Sequence, residues 1–245
     1  MSSLKLNNQI ALVTGATGKL SRVVCLRLAE AGVDLALHFH KNESVAHDLK
    51  KMIEDLGRRC EIYSFDLTDA QAPQSLVEKV LADFGRVDIL VHAASVFIGT
   101  RLAKTDDQLW QQMFDLHVTA PFRLARALEN NFRCHSGAIL NIADIWGLKP
   151  KAALLAYSVS KAALVALTKA LAEELAPTTT VNAVAPGIID FPPDFPESLR
   201  EKVIGRIPLQ RPGRPEEIAD LVVEIIANRY ITGQVITIDG GRTLI

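Results

Sequence analysis

Two kinds of hydrophobic segment alternate along this chain. In the first kind, short runs are apolar at almost every position: Gln9–Thr14, Asp34–His40, Cys60–Phe65, Val87–His92, Ala138–Ile142, Thr180–Val184 and Val235–Ile238. In the second, apolar residues return every three or four positions over longer stretches: Leu20–Ala31, Glu43–Leu56, Pro73–Phe84, Asp106–Phe132, Ala152–Leu175 and Pro215–Ala227. The first kind predicts strands and the second helices, with Gly32 stopping the first helix. Strands alternating with helices predict parallel βαβ units wound into one sheet. Runs that are apolar throughout predict helices on both sheet faces. The expected fold is α/β: one Rossmann-type domain over residues 1–245, a doubly wound parallel sheet of about seven strands. One segment breaks the rhythm. Gly187–Ser198 holds Phe191, Pro192, Pro193, Phe195 and Pro196 and is expected to be irregular. It reads either as an ordinary long loop or as a substrate loop, drawn here over about residues 187–205.

Composition narrows the function classes. A formal charge of −1 gives no electrostatic attraction to nucleic acid or to an anionic membrane. The start lacks the apolar stretch of a signal peptide, and no uninterrupted apolar run is long enough to span a bilayer, so a cytoplasmic location is expected. Cys25, Cys60 and Cys134 are widely spaced and show neither metal-ligand nor disulfide spacing. Reduced, mostly buried thiols and no metal are expected.

The turn Thr14-Gly15-Ala16-Thr17-Gly18-Lys19-Leu20-Ser21 joins the first strand to the first helix. Glycines here let backbone approach a pyrophosphate, and the helix N-terminus supplies oriented N–H groups. The end of the second strand then selects the cofactor. An acidic residue there suits the ribose 2′-OH of NAD. This chain has His40-Lys41-Asn42, with Lys19 in the turn nearby, which suits the 2′-phosphate of NADP(H). Asp66, ending the third strand, either accepts from the adenine amino group or caps the turn at Thr68 or Asp69.

Tyr157 and Lys161 stand four apart in a helical stretch and so share a face. An ammonium beside a phenol lowers its pKa, making a general acid for carbonyl or imine reduction. The pair follows the strand ending Asn141-Ile142-Ala143-Asp144, whose C-terminal end is where open α/β sheets bind ligands.

Over nearly its full length the chain resembles the short-chain dehydrogenase/reductase family. The resemblance rests on the Thr14-Gly15 turn, Asp66-Leu67, Ala93-Ala94-Ser95, Tyr157-x-x-x-Lys161, Val181-Asn182, Pro186-Gly187 and Asp239-Gly240-Gly241, in that order. It implies that Tyr157 is the proton donor and that Lys161 also bonds the nicotinamide ribose. It implies a cofactor site of Gly15, Thr17, Lys19, Leu20, His40, Lys41, Asn42, Asp66 and Leu67, continued by Ala93, Ala94, Ser95, Tyr157, Lys161, Pro186, Gly187 and Ile188. Homotetramers or homodimers built on the long helices are implied as well. Four positions depart from the family pattern. Ser21 stands for a glycine, His92-Ala93-Ala94-Ser95 for Asn-Asn-Ala-Gly, His117 for an asparagine, and Asp144 for the serine preceding the tyrosine.

Several departures resemble the pteridine reductase branch. These are the basic Lys19, the stretch His38-Phe39-His40-Lys41-Asn42, the aromatic in Ser95-Val96-Phe97, and Asp144. His117 and Asp239-Gly240-Gly241-Arg242 are similar to bacterial dihydromonapterin reductases. The implied reaction is NADPH-dependent reduction of a pterin C=N, with Asp144, Tyr157 and Lys161 catalytic, and with Ser95, Phe97, Asp144 and Tyr157 against the substrate. Phe97 is either an aromatic wall for a planar heterocycle or a core residue. His117 holds a water or satisfies a buried backbone carbonyl. Asp144 favours a nitrogen-rich ring, because a ketone offers a carboxylate no donor. Two alternatives remain: a generic NADPH-dependent carbonyl or 3-oxoacyl thioester reductase, and a non-catalytic NADP(H)-binding regulatory protein.

Overall fold

The computed structural model describes residues 6–191 and 195–245. Seven strands form one all-parallel sheet in the order β3-β2-β1-β4-β5-β6-β7. In chain order the elements are β1 (Ile10–Thr14), α1 (Lys19–Glu30), β2 (Asp34–Phe39), α2 (Glu43–Asp55), β3 (Cys60–Ser64), α3 (Ala72–Phe84) and β4 (Ile89–His92). Then come α4 (Asp107–Phe114), a π turn (Asp115–Thr119), α5 (Ala120–Ala127), α6 (Glu129–Cys134), β5 (Gly137–Ile142) and α7 (Ile145–Leu148). The chain closes with α8 (Leu155–Glu174), β6 (Thr179–Pro186), α9 (Glu197–Ile204), α10 (Pro215–Ala227) and β7 (Val235–Ile238).

Alternate residues of each central strand feed two cores, because successive side chains point to opposite faces. Ala11, Val13, Leu35, Leu37, Ile89 and Val91 join α1, α2 and α10 on one face. Leu12, Ala36, Leu90 and Ile139 join α3, α5 and α8 on the other. Every residue of β1 is buried, which is why the strand reads as a solid apolar run. Strand order reverses direction between β1 and β4, opening a crevice at their C-terminal ends.

Three expectations change. The stretch Asp106–Phe132 is not one helix but α4, a π turn, α5 and α6, with Pro121 opening α5 and His117 carried on the π turn. The region 187–205 is not all irregular: its second half is α9, and Pro192 and Pro193 lie outside the described residues. The segment Ala152–Glu174 is long and apolar enough, by length and composition, to cross a membrane. In this fold it carries buried Tyr157, Ser158, Ser160 and Lys161 and packs against β6 and α7. All three cysteines are free, Cys25 and Cys60 buried but Cys134 exposed.

Candidate active site

The turn after β1 is held by contacts that only small residues permit. Gly15 has φ +62°, and a Cβ there would lie 2.7 Å from Ala94 Cα. Both the backbone sign and the approach to the loop after β4 therefore require glycine. Thr14 Oγ1 accepts from Ala93 N at 3.1 Å and Ala94 N at 3.2 Å, tying β1 to that loop. His38, buried on β2, accepts from Gly15 N through Nδ1 at 3.2 Å and donates through Nε2 to Phe65 O at 3.0 Å. Burial lowers its pKa to about 4, so it stays neutral and both ring nitrogens are satisfied. His38 thus clamps the turn to the loop after β3. In sequence it entered only through a resemblance; a histidine inside an apolar strand run was the available signal.

These loops border a cleft of about 360 Å³. Ten of the expected cofactor positions line it: Gly15, Thr17, His40, Lys41, Asn42, Asp66, Leu67, Ala93, Ala94 and Ser95. Val96, Gln112 and Leu116 also line it, and no pattern in sequence marked them. No side chain caps α1 at Gly18, which leaves its first N–H groups without a side-chain acceptor. The helix-terminal donors of α1 and the polar groups of His40, Lys41 and Asn42 fit a nicotinamide dinucleotide. Asp66 divides its carboxylate: Oδ1 takes Thr68 N and Oγ1 at 3.0 and 2.7 Å, while Oδ2 faces His40 Nε2 at 3.6 Å. The capping role is the one this geometry makes.

Other expected positions lie elsewhere. Lys19 is not among the residues lining the cleft and forms an ion pair with Asp190 in the segment after β6. Leu20 packs against the α1 core. Pro186, Gly187 and Ile188 sit at the end of β6, with Gly187 N donating to Ile238 O at 2.9 Å. A Cβ on Gly187 would meet Asp239 Cα at 2.7 Å.

Beyond Ser95 and Val96 the chemistry gathers at the ends of β4 and β5. Tyr157 Oη donates to Asp144 Oδ2 at 2.8 Å, and Trp146 N donates to Asp144 Oδ1 at 2.8 Å. Lys161 Nζ donates to Ile142 O at 2.9 Å. A Cβ on Gly147 would lie 2.8 Å from Lys161 C, so this glycine lets α7 seat against α8 beside the lysine. Neither Trp146 nor Gly147 was marked in sequence.

The expected lowering of the phenol pKa by Lys161 is not what the site produces. Burial first, and the Asp144 carboxylate second, raise the Tyr157 pKa well above its ordinary value; the Ser95 hydroxyl partly opposes them. Lys161 spends its ammonium on Ile142 O rather than on the phenol, and burial brings its own pKa down to about 8. Burial likewise raises Asp144, against the Trp146 N–H, the Tyr157 hydroxyl and Lys161. Tyr157 is therefore a neutral acid with its proton on the hydroxyl.

Two neighbours differ from expectation. His117 is fully buried, and its partners are hydroxyls and an N–H rather than a carbonyl. Ser160 Oγ donates to Tyr157 O at 2.8 Å, so His117 Nδ1 must donate to Ser160 Oγ at 2.9 Å. That leaves Nε2 to accept from Ser95 Oγ at 3.0 Å and, weakly, from Val96 N at 3.4 Å. Phe97 is no core residue: it is 63% exposed, and its ring meets Tyr157 edge-on at 4.9 Å between centroids.

Residues 15–243 match the family model described as enoyl-(acyl carrier protein) reductase. The chain belongs to the short-chain dehydrogenase/reductase family. It is similar to a 3-oxoacyl-[acyl-carrier-protein] reductase of Thermotoga maritima, with 31% identity covering 98% of this chain and 100% of that one. Among solved structures it is similar to an acetoin dehydrogenase from Enterobacter cloacae, with a TM-score of 0.89 and 32% identity, covering 98% of this chain and 97% of that one. It is also similar to FolM alternative dihydrofolate reductase 1 from Brucella canis complexed with NADP, with a TM-score of 0.89 and 30% identity over 97% and 95% of the two chains. As a family member this short-chain dehydrogenase/reductase is an NAD(P)(H)-dependent oxidoreductase, and the non-catalytic reading is set aside.

Proposed function

We propose that this enzyme uses NADPH to reduce a C=N bond of a dihydropterin or a dihydrofolate-like ring. The observation that carries the reading is Asp144. A half-buried carboxylate hydrogen-bonded to the acid Tyr157 stands where the family pattern has a serine. Its unused lone pairs suit the amino group and ring N–H of a pterin, whereas a ketone has no donor for them. The similarity to a dihydrofolate reductase structure supports the same reading. Lys41 and His40 at the cleft end support NADPH over NADH.

The Gly15–Gly18 turn, His40, Lys41, Asn42 and the Ala93–Ser95 loop would hold the cofactor, which when bound would supply the hydride for the ring carbon. Tyr157 gives its hydroxyl proton to the ring nitrogen. Asp144 orients that hydroxyl and accepts from the substrate. Lys161, anchored on Ile142 O, supplies positive charge beside the carboxylate and would hold the nicotinamide ribose. His117 fixes Ser95 and, through Ser160, the backbone of Tyr157. Phe97 forms an exposed aromatic wall for a planar ring. The exposed aromatic rings of Trp110 and Phe122 on α4 and α5 support pairing of copies through those helices.

A second reading, reduction of a 3-oxoacyl thioester, is favoured by the full-length similarity to the Thermotoga maritima enzyme. One experiment separates the two. NADPH oxidation is followed with a dihydropterin and with an acetoacetyl thioester, for the native enzyme and for Asp144→Ser. The pterin reading expects dihydropterin turnover that falls at least about tenfold in the variant, with NADPH affinity unchanged. Thioester turnover alone, maintained or raised by the serine, would install the second reading.

A further inference from the structure

Trp146 has two sides. One packs against the cluster of Met113, Ala156 and Tyr157 in the catalytic region. The other faces a separate pocket of about 250 Å³ lined by Lys149, Lys151, Arg206, Arg242 and Ile245. Four cations converge on this space from three parts of the chain: the loop after α7, the end of α9, and the turn after β7. Among the described residues none of the four forms an ion pair with an acidic side chain. Lys151 Nζ lies 4.8 Å and Arg242 Cζ 6.0 Å from the Trp146 ring centroid. Arg242 Nη1 donates to Arg206 O at 2.7 Å, which fixes the guanidinium, while its buried Nε has no partner among the described residues. Lys149 Nζ donates to a main-chain oxygen of Ile245.

Concentrated like charge of this kind destabilises the protein alone and is relieved by an anion. Burial and then the neighbouring Arg206 lower the Arg242 pKa, with Asp239 only partly opposing them. A fixed guanidinium whose Nε–H has no partner among the described residues, flanked by two ammonium groups, matches the oxygens of a phosphate. The pocket is too small for a whole fused ring system with its side chain, and Trp146 joins it to the catalytic carboxylate through the Trp146 N–H bond to Asp144.

We propose that this pocket is a phosphate-binding subsite that receives a phosphate borne on the tail of the substrate whose head is reduced at Tyr157. The proposal rests on the reading of Asp144 and Tyr157 as the site of reduction. It applies to either carrier of the phosphate, a phosphorylated dihydropterin side chain or the phosphopantetheine arm of an acyl thioester.

Two measurements test it. The chain's two tryptophans are Trp110 and Trp146. In a Trp110→Phe enzyme saturated with NADP⁺, fluorescence is titrated with inorganic pyrophosphate, with and without the further changes Lys149→Gln, Lys151→Gln and Arg206→Gln. A saturable response that weakens at least about tenfold in the substituted enzyme is expected. No response, or equal responses, would overturn the subsite whether or not the enzyme reduces pterins. Turnover is then compared within two pairs: a neutral dihydropterin against its phosphate ester, and acetoacetyl-N-acetylcysteamine against acetoacetyl-coenzyme A. The expected result is a lower KM for the phosphorylated member of one pair, which identifies the carrier. That advantage should disappear in the substituted enzyme and with added salt, with kcat nearly unchanged. Loss of KM on both members alike, or a pyrophosphate response tied to a change in sedimentation, would assign the cluster to packing or to a second copy and overturn the proposal. Failure of the dihydropterin pair alone would count against the pterin reading and leave the subsite standing.

Discussion

Lys161 titrates against the stability of its own fold. Its ammonium is buried, and its pKa falls from 10.5 to about 8, with burial the dominant cause and Asp144 partly compensating. Between those two values the unfolded chain binds more protons than the folded one, so stability rises with pH through this window. Below about pH 8 both states are protonated, and the folded protein carries the whole penalty, about 3 kcal/mol at 1.36 kcal/mol per pH unit. Urea unfolding of the native enzyme and of Lys161→Met, both without cofactor, at about pH 7 and about pH 10 isolates this quantity. The methionine variant loses the bond to Ile142 O, but that loss does not titrate. The stability of the native enzyme relative to the variant should therefore improve by roughly 2 kcal/mol from the lower to the higher pH, whatever its sign at the start. A difference that stays constant within about 0.5 kcal/mol would show that the ammonium is not desolvated as the structure implies, and would refute the reasoning.

His117 gives a second window of the same sign at acid pH, with stability again rising as pH rises. Burial, then repulsion from Lys161 and His92, lowers its pKa to about 2, so below its ordinary 6.5 the unfolded chain alone takes up a proton. The native enzyme should lose about 2 kcal/mol from this group between about pH 7.5 and pH 5. Thermal melts of His117→Asn should show that share of the acid loss removed, and equal acid losses would contradict it. Gly15→Ala combines φ +62° with a 2.7 Å approach to Ala94 Cα, whereas Gly57→Ala has φ +75° with nothing within 4 Å of the new Cβ. Chemical denaturation should show about 1 kcal/mol lost at Gly57 and at least about 2 kcal/mol at Gly15, with NADPH affinity reduced only at Gly15. Equal losses would mean that the close approach carries no energy.

The strands and the catalytic helix were legible along the chain for a simple reason. Central parallel strands are covered on both sides, so β1, β4 and β5 are apolar at almost every position, and a local pattern of that kind needs no partner to be recognised. The spacing of Tyr157 and Lys161 and the glycine turn are equally local. Boundaries were less so. The helix predicted over Asp106–Phe132 breaks at the π turn, where His117 must point inward between Ser95 and Ser160, and nothing in the helical period records that demand.

Charge and hydrogen-bond partners were decided only in three dimensions. Lys19 seemed a phosphate ligand by proximity in sequence, but 171 positions later the chain returns Asp190 to it. Lys161 seemed set to acidify Tyr157, yet burial and Asp144 govern the phenol, and the lysine answers to Ile142 O. The cations beside Trp146 come from positions 149 to 242 and meet only because the tertiary fold brings the residues after α9 and after β7 to one pocket beside Trp146. Hydrophobic period is a property of neighbours along the chain, so the sequence by itself determined the sheet, its helices and the Tyr157–Lys161 face. Electrostatics depends on distance and desolvation through space, so only the tertiary structure decided which charges face one another and which protons the site can give.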